Sequence, residues 1–227
     1  MLTRSCSVGA AALLALLGCG RSSKDDSTAS ERVASEPSVA LATSPDPVCG
    51  RIVFATEAEH ELQRLEWIAA SGGPISPVTT TPLDAGFSEF PAAPTPDARA
   101  LLVLSSQTLA EGQTLDHFGL LELDALPGTP RAIGPQAQLR NPSWAPDGTW
   151  LVFESNAESF RDLYRLDLAS GSVLRLTNDP QGNFEPAVSP DGQRIAFVSS
   201  RDGNAEIYVM TADGGSPTRL TYAIGDD

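Results

Sequence analysis

NPSWAPDGTWLVFES at Asn141–Ser155 and EPAVSPDGQRIAFVSS at Glu185–Ser200 are two versions of one phrase. Each runs Pro, three residues, P-D-G, and then an apolar triplet followed one residue later by Ser. A chain that repeats itself at a fixed period builds one supersecondary unit several times. Working outward, four apolar triplets mark the period: Ile52-Val53-Phe54, Leu101-Leu102-Val103, Leu151-Val152-Phe153 and Ile195-Ala196-Phe197. Their spacings of 49, 50 and 44 residues fall in the range of propeller blades.

A second strand-like segment follows each triplet: Leu65–Ala69, Leu120–Asp124, Leu163–Leu168 and Ile207–Thr211. A Gly-containing turn then leads to a short third one: Pro77–Thr80, Pro130–Ile133, Val173–Thr177 and Pro217–Thr221. Ahead of the later triplets lies a Pro-led segment: Pro91–Thr95, Pro142–Ala145 and Pro186–Ser189. Four short strands per unit, with Gly, Asp and Pro at the corners, predict an all-β propeller of four-stranded antiparallel blades over 48–227. Only Glu57–Trp67 comes near a helical stripe.

P-D-G recurs because each residue has a task in the turn. Pro presets φ, Asp folds its carboxylate back onto the backbone, and Gly takes the positive-φ position. Pro146-Asp147-Gly148 and Pro190-Asp191-Gly192 fit. In Pro96-Asp97-Ala98 the third residue carries a Cβ, so Ala98 must sit in a costly conformation or lengthen the loop.

Taken together, W-A-P-D-G-x-x-L-V-F-x-S, then D-L-Y-R-L-D and R-L-T, repeated through Thr221, resemble the TolB-type propeller repeat. The resemblance covers Asn141–Thr221 fully, Phe90–Ile133 in part, and Ile52–Thr80 mainly by position. It implies a periplasmic or extracellular propeller. The family's namesake carries an α/β domain ahead of its propeller and docks a peptidoglycan-associated lipoprotein; this chain has a tether in that place. Closed propellers of the type need six or more blades, whereas 48–227 has room for four. The expectation is therefore a fragment, or an open arc that pairs with another chain, ahead of a closed four-blade ring. An open arc leaves strand edges and a route to self-association.

The start, MLTRSCSVGAAALLALLGCG, predicts export. Arg4 supplies a positive n-region, and the apolar run Val8–Leu17 is too short for a bilayer span. Leu16-Leu17-Gly18-Cys19 resembles the bacterial lipobox, which implies a signal peptide over 1–18 and lipidation of Cys19. A multiply acylated Cys19 is a firm anchor, and Gly20 after it points to the outer membrane. Residues 19–47 are rich in Ser, Asp, Glu, Ala and Pro and predict a disordered tether. As a flexible coil it reaches roughly 30 Å. Loss of Cys6 and lipidation of Cys19 leave Cys49 alone, without a partner for a disulfide or a cysteine zinc site. The net charge of −14, with no basic stripe, argues against nucleic acid as a partner.

Polar candidates take structural readings first. Asp97, Asp147 and Asp191 are turn residues, and Asp202-Gly203-Asn204 is a hairpin turn lacking the ligand ladder of a calcium loop. Asp162 and Glu206 hold equivalent places and are expected to bond across the blade. Trp67, Trp144 and Trp150 are expected to pack between blades. The two histidines, His60 and His117, are placed in loops between second and third strands, and no metal is assigned to them. No G-x-S-x-G, H-E-x-x-H or glycine-rich phosphate loop occurs, so no catalytic residue and no cofactor is assigned. Blade geometry puts a binding surface at the channel mouth, with Asn141, Ser143, Asn178, Asp179, Asn183 and Glu185 as its candidates. The functional expectation is a non-enzymatic, lipid-anchored envelope scaffold for a protein, peptide or polymer. The alternative is the propeller portion of a larger serine-peptidase-type hydrolase.

Overall fold

The computed structural model describes residues 15–16, 50–57, 62–81, 86–109, 113–158 and 160–222. Cys19, Cys49, His60 and the tether lie outside the described residues. Sixteen strands form four antiparallel four-stranded sheets, and no helix occurs among the described residues. The first sheet is β1 Ala15–Leu16, β2 Arg51–Glu57, β3 Gln63–Ala69 and β4 Ser76–Pro77. Next come β5 Phe87–Pro94, β6 Ala100–Thr108, β7 Thr114–Glu122 and β8 Arg131–Ala137. The third is β9 Leu139–Trp144, β10 Trp150–Ser155, β11 Asp162–Asp167 and β12 Val173–Arg175. The fourth is β13 Asn183–Val188, β14 Arg194–Ser199, β15 Glu206–Thr211 and β16 Thr218–Arg219. In every sheet, sequence order is spatial order. The first strands of successive sheets lie beside one another, β5 against β9 and β9 against β13, and line the concave side of an arc. The fold is an incomplete β-propeller.

The alternation of strand side chains explains the packing. In the second to fourth triplets the outer two residues face the preceding sheet, and in the first three the middle one faces the next. Leu101 and Val103 join Val53 and Leu65 of the first sheet. Leu151 and Phe153 join Leu102 and Phe118 of the second. Ile195 and Phe197 join Val152, Leu163 and Trp150 of the third. The core is thus three sandwiched layers rather than one central cluster. All six residues of β10 are buried because sheets cover both of its faces. Trp150 is buried there beneath the Arg165 guanidinium, 4.1 Å from its ring centre, while Trp67 and Trp144 pack against the other two layers.

The P-D-G turns form as their chemistry requires. Asp147 Oδ1 accepts from the Thr149 N–H at 3.0 Å, Asp191 Oδ1 from the Gln193 N–H at 3.0 Å, and Asp97 Oδ1 from the Arg99 N–H at 3.1 Å. Gly148 and Gly192 take φ of 70° and 69°. Ala98 takes the costly option, with φ 56° in a turn of unchanged length.

Three local expectations are corrected. The described residues of Glu57–Trp67 form no helix: Gln63–Ala69 is strand, paired residue by residue with β2. His117 lies inside β7, opposite Ser105 and edge-on to Phe87, because the β6–β7 hairpin extends to Thr108 and Thr114. The first strands begin upstream of their prolines. Pro91, Pro142 and Pro186 sit mid-strand where the register shifts, and such a bulge tolerates a residue without an N–H.

Candidate functional site

At two of these bulges the residue before the proline is driven into left-handed backbone. Asn141 has φ 46° and Glu185 φ 51°, at equivalent positions of β9 and β13. Such conformations cost of order 1 kcal/mol or more and persist only where their surroundings hold them. The holder is Glu154 of β10, whose side chain is almost wholly buried. Its Oε1 accepts from Asn141 Nδ2 and from the Glu185 N–H, each at 2.6 Å. One carboxylate therefore ties the bulges of adjacent blades together. Its Oε2 is buried without a hydrogen-bond partner and lies 3.7 Å from Arg161 Nη1.

Above this tie opens a cleft of about 640 Å³, within the size range of small-molecule and peptide sites. Phe90, Pro91, Ala92, Leu104, Pro142 and Pro186 form its apolar walls, and Arg140, Asn141, Arg161 and Glu185 its polar groups. Arg161 also lies over the Phe184 ring at 5.4 Å. The lining contains no Ser, Thr, Cys, His or Lys, and its one carboxylate is Glu185; the cleft offers hydrogen bonds, charge and apolar contact. No group of three or more His, Cys, Asp or Glu able to hold a metal ion occurs among the described residues.

The predicted channel-mouth residues separate into three places. Asn141 and Glu185 line the cleft. Ser143 lies deeper, its hydroxyl accepting the Val188 N–H of the next blade at 3.0 Å. Asn178 and Asp179 line a smaller depression of about 140 Å³ beside Arg201. Asn183 is fully buried: its Nδ2 donates to Asp162 Oδ1 at 2.8 Å and its Oδ1 accepts from Arg201 at 2.9 Å.

Asn183 thereby joins a latch centred on Asp162, itself fully buried. Asp162 also accepts from Thr177 Oγ1 at 2.7 Å and from Arg175 Nη2 at 2.6 Å. That bond is the main reason the Arg175 pKa is raised. Glu206 repeats the arrangement one blade later, with Arg219 Nη2 at 2.7 Å and the Thr221 hydroxyl. Between the first two blades, Thr79 and Thr81 donate to the buried Glu89 of β5. Sequence reasoning passed over Arg140, Arg161 and Glu154. The available signal was Glu154, a carboxylate at the repeat position occupied by Leu104 and Val198.

Residues 134–226 match the family model of the TolB beta propeller domain. These are TolB-like propeller repeats. Among solved structures, TolB from Acinetobacter baumannii superimposes with a TM-score of 0.58 at 26% identity, covering 78% of this chain and 43% of its own. A puromycin-hydrolyzing peptidase from Mycobacterium tuberculosis gives 0.64 at 18%, covering 76% and 29%. An oligogalacturonate lyase in complex with manganese gives 0.55 at 23%, covering 71% and 45%. The chain thus spans less than half the length of each of these structures. No curated protein sequence matches it.

Proposed function

We propose that this chain is an exported, Cys19-lipidated propeller, its first sheet reduced to β2–β4 once residues 1–18 are removed, that binds an envelope protein, peptide or polymer in the cleft and catalyses nothing. One observation carries the binding part: a buried carboxylate holds two strained strand residues at the rim of a concave, largely apolar site. Strain kept in place by a dedicated buried group points to a surface whose shape matters. The anchor part is supported by the lipobox-like Leu16–Cys19 alone, and the envelope location by the likeness to TolB.

Photo-crosslinking in the native cells tests the binding. A benzophenone side chain placed at Arg140 is expected to capture an envelope component, while the same group at Leu174, on the rim of the third sheet, captures none. Equal labelling from both positions, or none from either, refutes the cleft as the site. For the anchor, Cys19→Ala is expected to abolish incorporation of a palmitate analogue and to release the chain from membranes.

A second reading is favoured by the peptidase likeness: the propeller portion of a longer hydrolase. Reading the gene past Asp227 separates the two, because this alternative requires a G-x-S-x-G domain in frame. Peptidase turnover by the purified chain itself overturns the non-enzymatic reading.

A further inference from the structure

The cleft is built from two unlike parts. The second sheet contributes Phe90, Pro91, Ala92 and Leu104, whose side chains offer no hydrogen bond. The third and fourth sheets, with the loop ahead of β11, contribute Arg140, Asn141, Arg161 and Glu185. In a chain with 29 acidic and 15 basic residues this lining reverses the balance, with two guanidiniums to one carboxylate. Both arginines also line a small adjoining hollow with Glu154 and Asn156, so the two forks stand together.

Their hydrogen-bonding capacity is unused. Arg165, Arg175, Arg201 and Arg219 each donate to an oxygen of a neighbouring residue. Arg140 is exposed and donates no side-chain hydrogen bond among the described residues. The Arg161 side chain is 42% exposed and meets Glu154 Oε2 at 3.7 Å, too long for a hydrogen bond. The carboxylates around them are otherwise placed. Glu154 Oε1 is held by Asn141 and by the Glu185 N–H, and Glu158 is paired with Arg175. Glu185 is exposed at the rim, its carboxylate in no ion pair among the described residues. Two planar forks of donors without an acceptor match a carboxylate, which each can bind through two parallel hydrogen bonds.

We infer that the group held in the cleft is an acidic side chain on an extended peptide segment of a partner protein. The inference rests on the reading of the cleft as a binding site and names what that site takes. Side chains of an extended segment alternate between two sides. An aspartate or glutamate then meets Arg140 and Arg161, its apolar neighbours pack on Phe90 and Leu104, and Glu185 accepts a backbone N–H of the segment. A saccharide fits less well, because hydroxyls turned toward the second-sheet wall lose water and find no partner.

Fluorescence anisotropy of the purified full chain with end-blocked hexapeptides is the test. A peptide alternating leucine and glutamate is expected to bind roughly tenfold tighter than one alternating leucine and glutamine. Arg140→Ala is expected to weaken the glutamate peptide by roughly the same factor, with the glutamine peptide unchanged. Arg140→Lys keeps the charge without the fork and recovers part of the loss. Arg194→Ala removes an equal charge at an exposed position outside the cleft lining and changes neither affinity. Equal affinity for the two peptides, no binding of the glutamate peptide at millimolar concentration, or equal losses from Arg140→Ala and Arg194→Ala overturns the inference. So does binding that requires a free carboxyl terminus. Photo-crosslinking at Arg140, which leaves Arg161 in place, separates this claim from the one beneath it. Capture of a partner without a preference for glutamate keeps the cleft as a binding site and removes the acidic segment; no capture removes both.

Discussion

Removing the carboxylate of Asp162 tests whether the joint between the third and fourth blades is polar as well as apolar. Asp162 is fully buried and accepts three side-chain hydrogen bonds, from Thr177, Asn183 and Arg175 at 2.7, 2.8 and 2.6 Å. In Asp162→Asn the amide oxygen retains Thr177 and Asn183, but an N–H now faces the Arg175 guanidinium. One charged hydrogen bond is lost, about 1.5–3 kcal/mol for a buried case. Arg175 is partly exposed and also bonds to Glu158 and Asn178, which favours the lower end, about 1.5 kcal/mol. In Asp162→Ala the buried Thr177 and Asn183 lose this acceptor as well, and the cost rises toward the ~3–5 kcal/mol of breaking a buried pair. Urea denaturation read by circular dichroism gives both values. Hydrogen exchange is expected to localise the loss to β13–β16, since each blade leans on its neighbour. A cycle with Asn183→Ala should return a coupling of about 1 kcal/mol. If Asp162→Ala costs under about 1 kcal/mol, or Asn and Ala cost the same, the latch contributes nothing beyond apolar packing.

Ala98→Gly should stabilise by about 0.5–1 kcal/mol, because relief of the positive φ outweighs the added freedom of the unfolded chain; Gly148→Ala, meeting only ordinary contact at Pro96, should cost about 1 kcal/mol in the same assay. Phe153→Ala empties a site packed edge-on to Phe118 and stacked on Tyr164, and should lower stability by about 3–5 kcal/mol. The turn aspartates set an acid limb. Hydrogen bonds from the Thr95 hydroxyl, the Thr149 N–H and the Ser189 hydroxyl lower the pKa values of Asp97, Asp147 and Asp191 below 3.8. Their stabilisation is therefore present above pH 3.8 and is lost as pH falls below it. The triple Asn variant should show a shallower decline in melting temperature over that range than the parent chain.

The sequence made the blades legible because their corners are chemical. A P-D-G turn needs a fixed φ, a side-chain acceptor and a glycine, and each requirement leaves a residue type behind. The first strands were harder to bound: proline signals a break, yet Pro142 and Pro186 sit at bulges inside strands. Leu65 and Trp67 can be taken for part of a helical stripe until β2 supplies the partner that makes their alternation count. At the site, Asn141 and Glu185 were found from their place in the repeat, and the tie between them was not. That tie depends on Glu154 reaching across to the neighbouring blade, a contact spanning 31 residues to Glu185. Asn183 looked like a surface amide for the same reason: nothing in a strand's own sequence announces that an aspartate waits in the adjoining sheet.

The latch has a consequence for how such chains grow. Its aspartate opens the third strand of one unit, its threonine follows the fourth, and its asparagine opens the first strand of the unit after. Duplicating a gene segment of one repeat length copies both the socket and the plug, so a newly inserted unit meets neighbours that already fit it. Lengthening by whole units then requires no compensating substitution at either seam. A deletion out of step with the period severs two joints at once.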